Sequence, residues 1–237
     1  MAGRISYLGG IVTRGLILDL DAAKRDSYVG TGTAWNDISG NQNNGTLING
    51  PTFNSSNGGS IVFDGSNDYV ETNNTINISS NQSRTIDVWI YLNNSTTRHV
   101  LCSWGGFGQD ILCNLEVNQV VGANTNYPYF AGFNNDAYIA QTISLNTWTN
   151  LTLTYDTGTI NSSNGIKMYI NGLSKSVLFP NGNRILNTTN SKIYIGYEGA
   201  GSRNPMNGRV ANCKIYNRAL SASEILQNYN ATKTRYI

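Results

Sequence analysis

Seven Asn-Gly dipeptides punctuate this chain, at Asn44-Gly45, Asn49-Gly50, Asn57-Gly58, Asn164-Gly165, Asn171-Gly172, Asn181-Gly182 and Asn207-Gly208. Both residues accept the positive φ that tight hairpin turns demand, so a chain interrupted this often is confined to short antiparallel strands. The stretches between the turns alternate. Ile86, Val88, Ile90 and Leu92 share one strand face while Asp87, Trp89 and Tyr91 share the other, the pattern of a half-buried strand with an aromatic outer surface. The same period of two runs through Thr149, Leu151, Leu153 and Tyr155, through Met168 and Ile170, through Ile193, Ile195 and Tyr197, and through Ala211, Cys213 and Ile215. Roughly a dozen strands are expected. One short helix is predicted near the end: Ser221 and Glu224 form a capping pair, and Ile225, Leu226 and Tyr229 follow at helical spacing.

The 237 residues suit a single β domain, with no linker, internal repeat or composition shift to divide them. Hydrophobic residues at 39% and charged residues at 13% describe a globular chain rather than a disordered one. A net charge of +2 offers no general attraction to phosphate backbones or acidic membranes, so neither nucleic acid nor membrane insertion is expected. No apolar run approaches the roughly 20 residues that span a bilayer, and Met1 to Gly10 lacks the order of a signal peptide. Synthesis in a cytoplasm is the expectation. Residues 1–14 precede the first convincing strand and read either as an arm that docks on a neighbour or as a segment without order.

Three cysteines, Cys102, Cys113 and Cys213, cannot all pair. They are expected to be buried free thiols, with Cys102 and Cys113 facing each other across a hairpin as the other reading. The one imidazole, His99, has no second ligand at metal-binding spacing and reads as a surface histidine.

Framework segments follow in a characteristic order. They are Gly15-Leu16-Ile17-Leu18-Asp19-Leu20-Asp21-Ala22, the run from Trp35 to Leu47, Ile61-Val62-Phe63-Asp64-Gly65, the run from Trp148 to Asp156, Met168-Tyr169-Ile170-Asn171-Gly172, and Asn207-Gly208-Arg209-Val210 leading to Ile215-Tyr216-Asn217-Arg218-Ala219-Leu220-Ser221. The set resembles the laminin-G-like, concanavalin A-like lectin/glucanase superfamily over about Gly15 to Tyr229. Ile11-Val12-Thr13-Arg14-Gly15 and Asn228-Tyr229-Asn230-Ala231 are most similar to copies of this domain in structural proteins of tailed bacteriophages. The resemblance implies an all-β jelly-roll sandwich of two antiparallel sheets over residues 15–237. It leaves function open, because such folds carry sugar-binding modules, hydrolases and assembly domains.

A glycoside hydrolase needs two carboxyl groups, about 5 to 5.5 Å apart for retention and about 6.5 to 9.5 Å for inversion. Glu71, Glu116, Glu198 and Glu224 have no acidic neighbour at the strand spacing such enzymes use, and Asp19 and Asp21 belong to the opening framework. No catalytic residue is expected. Asp37-Ile38-Ser39-Gly40-Asn41-Gln42-Asn43 sets oxygens at alternate positions, which suits calcium held by Asp37, Asn41 and Asn43 with Asp19 added; the other reading is an Asx turn bonded to its own backbone, favoured because Ala211 and Asn212 stand where relatives often have acids. No cofactor is required.

Sugar binding asks for exposed rings and planar polar groups. The segments from Trp104 to Asp110 and from Asn124 to Asp136 read as loops supplying both, with Trp104, Tyr127, Tyr129, Asn134, Asn135 and Asp136 as the candidate ligand edge. Thirty-five Asn give a polar, nearly neutral exterior suited to wet contacts. The combined expectation is a non-enzymatic virion surface protein, a capsid decoration or fibre/adhesin component made in the host cytoplasm. It would contact capsid or tail proteins, host or environmental glycans, and further copies of itself. The alternative is a free carbohydrate-binding module or a glycoside hydrolase.

Overall fold

The structure, a computed structural model, describes residues 9–118 and 125–236. Its strands run in chain order β1 (Leu16–Asp21), β2 (Ala34–Trp35), β3 (Gly45–Ile48), β4 (Thr52–Asn54), β5 (Ser60–Asp64), β6 (Tyr69–Thr72), β7 (Arg84–Leu92), β8 (His99–Gly105) and β9 (Leu112–Val117). They continue with β10 (Pro128–Ala131), β11 (Asp136–Tyr138), β12 (Trp148–Tyr155), β13 (Lys167–Ile170), β14 (Leu173–Lys175), β15 (Leu178–Asn181), β16 (Tyr194–Ile195) and β17 (Asn207–Tyr216), then helix α1 (Ala222–Thr232). An eight-stranded sheet has the order β14-β13-β12-β7-β17-β5-β4 with β1 also on β17, and a nine-stranded sheet has the order β15-β11-β10-β9-β8-β16-β6-β3-β2. All pairings are antiparallel. The expected jelly-roll sandwich is the fold observed.

The core lies between the sheets and takes the alternating residues as expected: Ile86, Val88, Ile90 and Leu92 from β7 meet Cys113, Leu115 and Val117 from β9. Two places break the period. A bulge in β17 between Val210 and Asn212 turns Ala211 away from the core, so Val210 and Cys213 both face inward. At Gly196, φ of +82° turns the chain, and Tyr197 leaves the core face that Ile193 and Ile195 occupy. Only one Asn-Gly pair makes a two-residue hairpin with both φ positive, Asn171-Gly172 between β13 and β14. Asn44-Gly45 and Asn207-Gly208 instead enter strands, where pairing across the sheet outweighs the turn preference.

The aromatic face of β7 is not a surface. Helix α1, started by the predicted Ser221/Glu224 capping box, lays Thr232 against Trp89, whose Nε1 donates to Thr232 Oγ1 at 2.9 Å, and Tyr236 packs on the same indole at 4.3 Å. Of the expected arm, residues 1–8 lie outside the described residues. Val12 is buried against Tyr216, Leu220 and Ile225, its N–H bonded to Asn228 Oδ1 at 2.8 Å. That part of the segment is packed into the domain itself.

His99 is a correction: it is fully buried, with Nε2 on the Asn94 carbonyl at 3.1 Å and Nδ1 accepting from the Asn207 N–H at 3.2 Å. The strand β8 carries it inside, where both ring nitrogens find backbone partners. The three cysteines are free and buried, and Cys113 stands opposite Trp104 rather than Cys102.

Candidate functional site

The alternation that sends Cys113, Leu115, Phe130, Ala137, Ile195 and Val70 into the core sends their strand neighbours to the outer face of the nine-stranded sheet. Two rows of residues cross that face. One runs Glu71, Tyr194, Ser103, Asn114, Ala131, and the other runs Val100, Glu116, Tyr129, Tyr138.

A charged centre sits where the rows cross β9. Arg98, just before β8, donates from Nη2 to Glu116 Oε2 at 2.5 Å and reaches Glu198 Oε2 at 3.4 Å. Glu198 also accepts from Arg203 Nε at 2.8 Å and from Asn114 Nδ2 at 2.9 Å. Both glutamate side chains are wholly buried. Glu198 arrives from the loop after β16, which is closed by backbone bonds between Glu198 and Arg203 of 3.0 and 3.3 Å. This closure depends on glycine: a Cβ at Gly199 would stand 2.2 Å from the Tyr194 ring, and one at Gly201 would stand 2.5 Å from Glu198 Oε1. Burial pushes the Glu116 carboxyl up to about 7 despite the neighbouring guanidinium. Glu116 Oε1 and Asn114 Oδ1 are buried acceptors with no hydrogen-bond partner among the described residues.

Aromatic rings flank this centre on both sides. Tyr138 stacks between Tyr127 and Tyr129 at 6.1 and 6.0 Å, within 14° of parallel. On the other side Tyr69 stacks on Tyr197 at 5.1 Å and tilts against Tyr194 at 6.0 Å. Burial and the adjacent Glu71 push the Tyr194 hydroxyl up to about 12, so it remains a donor. A cavity of about 230 Å³ opens between Arg98 and Arg203 over Leu112 and Ala131, walled by Phe133, Asn134 and Asp136. Phe107 stands beside it, 49% exposed, edge-on to Phe133 at 4.8 Å and beneath the Arg203 guanidinium at 4.5 Å.

Four of the six expected ligand residues reach this face. Tyr127 and Tyr129 join the stack, Asn134 and Asp136 line the cavity, and Asp136 accepts from Tyr129 Oη at 3.1 Å and Gly132 N at 2.9 Å. Trp104 does not. It lies on β8 rather than in a loop, 1% exposed, with its ring in the core and its Nε1 on the Ile78 carbonyl. Asn135 is likewise buried, bonded at both ends of its amide to the Arg184 backbone. Within the segment from Asn126 to Asp136, Pro128–Ala131 form β10 and Asp136 begins β11, with the residues between them in a loop, and Asn124 lies outside the described residues. Sequence reasoning missed Arg98, Asn114, Glu116, Tyr138, Tyr194, Glu198 and Arg203. Asn114 and Glu116 alternate with core residues on β9, a signal present in the chain; the meeting of Glu116 with Glu198 had none.

The loop expected to suit calcium does not fit a cation. Both Asp37 oxygens are occupied, Oδ1 by the Asp19 and Ser39 N–H groups at 2.9 Å each, Oδ2 by Ser39 Oγ at 2.8 Å and Asn43 N at 3.0 Å. Asn41 and Asn43 turn their NH₂ groups to the β1 carbonyls of Leu16 and Ile17, pointing donors where a cation needs oxygens. Asp19 faces Lys24 at 4.0 Å. Among the described residues, no three His, Cys, Asp or Glu side chains gather as a metal site. The Asx-turn alternative describes this loop. A larger cavity of about 420 Å³ along α1 holds Glu224 as its one titratable group, and that carboxylate is occupied by Arg218 and the helix cap.

A family model described as the concanavalin A-like lectin/glucanases superfamily matches residues 64–226. No curated protein sequence matches the chain. Solved structures share the fold: domain 4 of AbnA, a GH43 extracellular arabinanase from Geobacillus stearothermophilus in complex with arabinotriose, superposes with a TM-score of 0.67 at 20% identity, over 90% of this chain and 98% of that one. Trypanosoma rangeli sialidase matches at a TM-score of 0.66 and 15% identity, over 100% of this chain but 36% of its own. The botulinum neurotoxin serotype D binding domain matches at 0.64 and 16%, over 92% and 52%.

Proposed function

Because the chain belongs to the concanavalin A-like lectin/glucanases superfamily, we propose that it is a non-catalytic glycan-binding domain whose ligand lies across the outer face of the nine-stranded sheet. The observation that carries this is the placement of two stacked tyrosine groups on either side of a buried polar centre, on one face. Rings supply flat apolar surface for sugar C–H faces, the buried polar centre holds the exposed Arg203 guanidinium in place, and Arg203 and Asn134 at the cavity serve hydroxyls. That a domain of the same fold is known with arabinotriose supports a sugar as the ligand class. Glycan-array screening followed by calorimetry tests the reading. The wild type is expected to bind at least one glycan, and Tyr138→Ala to weaken it about tenfold while changing stability by no more than about 1 kcal/mol. A wild type that binds nothing across the panel sinks it.

Glu116 and Glu198 are the feature that favours hydrolysis, since they share one guanidinium. Their burial argues against it: Glu198 is held by both Arg98 and Arg203 and Glu116 by Arg98, both side chains are wholly covered, and the unpaired Glu116 Oε1 has no exposed surface from which to reach a glycosidic oxygen. The reading therefore has no catalytic residue.

The phage-like segments Ile11 to Gly15 and Asn228 to Ala231 support placing this domain on a virion surface, as a capsid or tail component that meets glycans. Deletion of residues 1–8 is the test of a docking arm there. Loss of incorporation into particles with an unchanged Tm is expected, and full incorporation counts against the arm.

A further inference from the structure

The charges on this face and at its rim are already answered among the described residues. Glu71 is paired with Lys192, Asp110 with Arg184 at 3.0 Å, Glu116 with Arg98 and Glu198 with Arg203. Asp136 has no cation partner and instead takes three uncharged donors, Tyr129 Oη, Gly132 N and Asn181 Nδ2, at 2.9–3.1 Å. Around the cavity the two guanidinium groups of Arg98 and Arg203 are matched by the carboxylates of Glu198 and Asp136 even when Glu116 holds its proton, so the site has no positive charge to spare.

Hydrogen-bond capacity is a different matter. Arg203 uses only Nε, on Glu198, and no partner for its two terminal nitrogens is found among the described residues. Its guanidinium is held in plane from below by the Phe107 ring at 4.5 Å and is 42% exposed at the cavity mouth. It is a charge-compensated, pre-oriented fork of N–H donors. Such a fork bonds the hydroxyl, ring or carbonyl oxygens of a sugar. A ligand carboxylate or sulfate would add a negative charge beside Glu198 and Glu116 and compete with them for the same guanidinium groups. The cavity, at about 230 Å³, is smaller than the roughly 300–1,000 Å³ that encloses a drug-sized ligand, which limits it to one ring or a chain end.

We propose that Arg203 is the specificity-determining contact of this face and that the glycan it takes is neutral rather than uronic, sialic or sulfated. The proposal rests on the glycan-binding reading above and adds the ligand class to it.

The experiment uses the full chain and a panel pairing neutral oligosaccharides with their uronate counterparts, read by calorimetry. Neutral members are expected to bind, with the uronates at least tenfold weaker. Neutral affinity should change less than twofold between about 0.05 and 0.5 M salt, because no net charge is being matched. Arg203→Lys, which keeps the charge and loses the fork, should weaken neutral binding about tenfold. Uronates that bind as well as the neutral sugars, an affinity that falls steeply with salt, or an Arg203→Lys variant with unchanged affinity each overturn the proposal while leaving glycan binding intact. A panel in which nothing binds overturns the broader reading and this one with it.

Discussion

Glu116 and Glu198, one near the end of β9 and one from the loop after β16, meet on a single nitrogen of Arg98, at 2.5 and 3.4 Å. Glu198 has Arg203 as a second cation, whereas Glu116 has Arg98 alone, and the burial of its carboxyl, reinforced by the nearby Glu198 and Asp136, favours holding a proton. Glu116 ionises only near pH 7 in the folded chain, against 4.5 for the free group. Because the folded value is raised, the folded state binds more protons between the two, and stability is full below pH 4.5 and declines as pH rises through 7. Urea titrations are expected to show a loss of about 3 kcal/mol across that window in the wild type, and Glu116→Gln should flatten it. An equal slope in both proteins would assign the loss to another group.

His99 acts in the opposite direction. Burial lowers its pKa below the ordinary 6.5, although its bond to the Asn94 carbonyl opposes the shift. The stability this neutral ring supports is present above pH 6.5 and is lost as pH falls through the folded value. As the only histidine in the chain, its imidazole signals are directly assignable. An NMR titration is expected to show the Nε2-protonated tautomer with a midpoint below 6.5, because Nδ1 accepts from Asn207. A midpoint above 6.5 contradicts this.

Trp104 and Tyr138 separate packing from binding. Trp104→Ala empties core volume and should cost about 3–5 kcal/mol, whereas Tyr138→Ala, on a half-buried outer ring, should leave stability within about 1 kcal/mol and act on glycan affinity instead. Denaturant midpoints for the pair check the assignment. A large stability loss in Tyr138→Ala would make that ring part of the scaffold.

Asp37 should behave as a structural carboxylate. Asp37→Ala removes the acceptor of four hydrogen bonds, one tying the loop to β1 at Asp19 N and three closing the loop on itself through Ser39 and Asn43, and is expected to cost about 3 kcal/mol. Chelator and millimolar calcium should both leave the wild-type Tm unchanged in a melting scan. A calcium-dependent rise would reopen the cation site.

Asn228 ties the start of the chain to its end. Its amide accepts from Val12 N and donates to Asp87 Oδ2 at 3.1 Å and Tyr216 Oη at 2.9 Å, all buried. Asn228→Ala leaves Val12 N and Asp87 Oδ2 without these partners, while Tyr216 Oη keeps the Val12 carbonyl, and should cost about 2–3 kcal/mol. Truncation through residue 13, which removes Val12, should likewise destabilise the domain, as read by urea midpoints.

Local regularities were legible before any coordinates. Period-two alternation placed Ile86, Val88, Ile90 and Leu92 in the core, and the Ser221/Glu224 spacing placed the start of α1. Each depends on residues within a few positions, and the pleat and the helix repeat turn that spacing directly into a face. The aromatic face of β7 was legible as a face but not as covered, because the covering residues, Tyr229, Thr232 and Tyr236, come from far along the chain.

The tertiary structure alone decided the site. Trp104 and Tyr138 are both aromatic residues on strands, and nothing in their neighbours says which ring is packed inside. That depends on which sheet face meets the core, and a bulge in β8 between Val100 and Cys102 shifts the alternation there. Glu116 and Glu198 are isolated acids in the chain and become a buried pair only when β16 lies beside β8 and the following loop folds back over β9. Sequence spacing determines which side chains share a strand face. Strand order determines which faces and loops meet, and the charge balance of this surface arises at that second level.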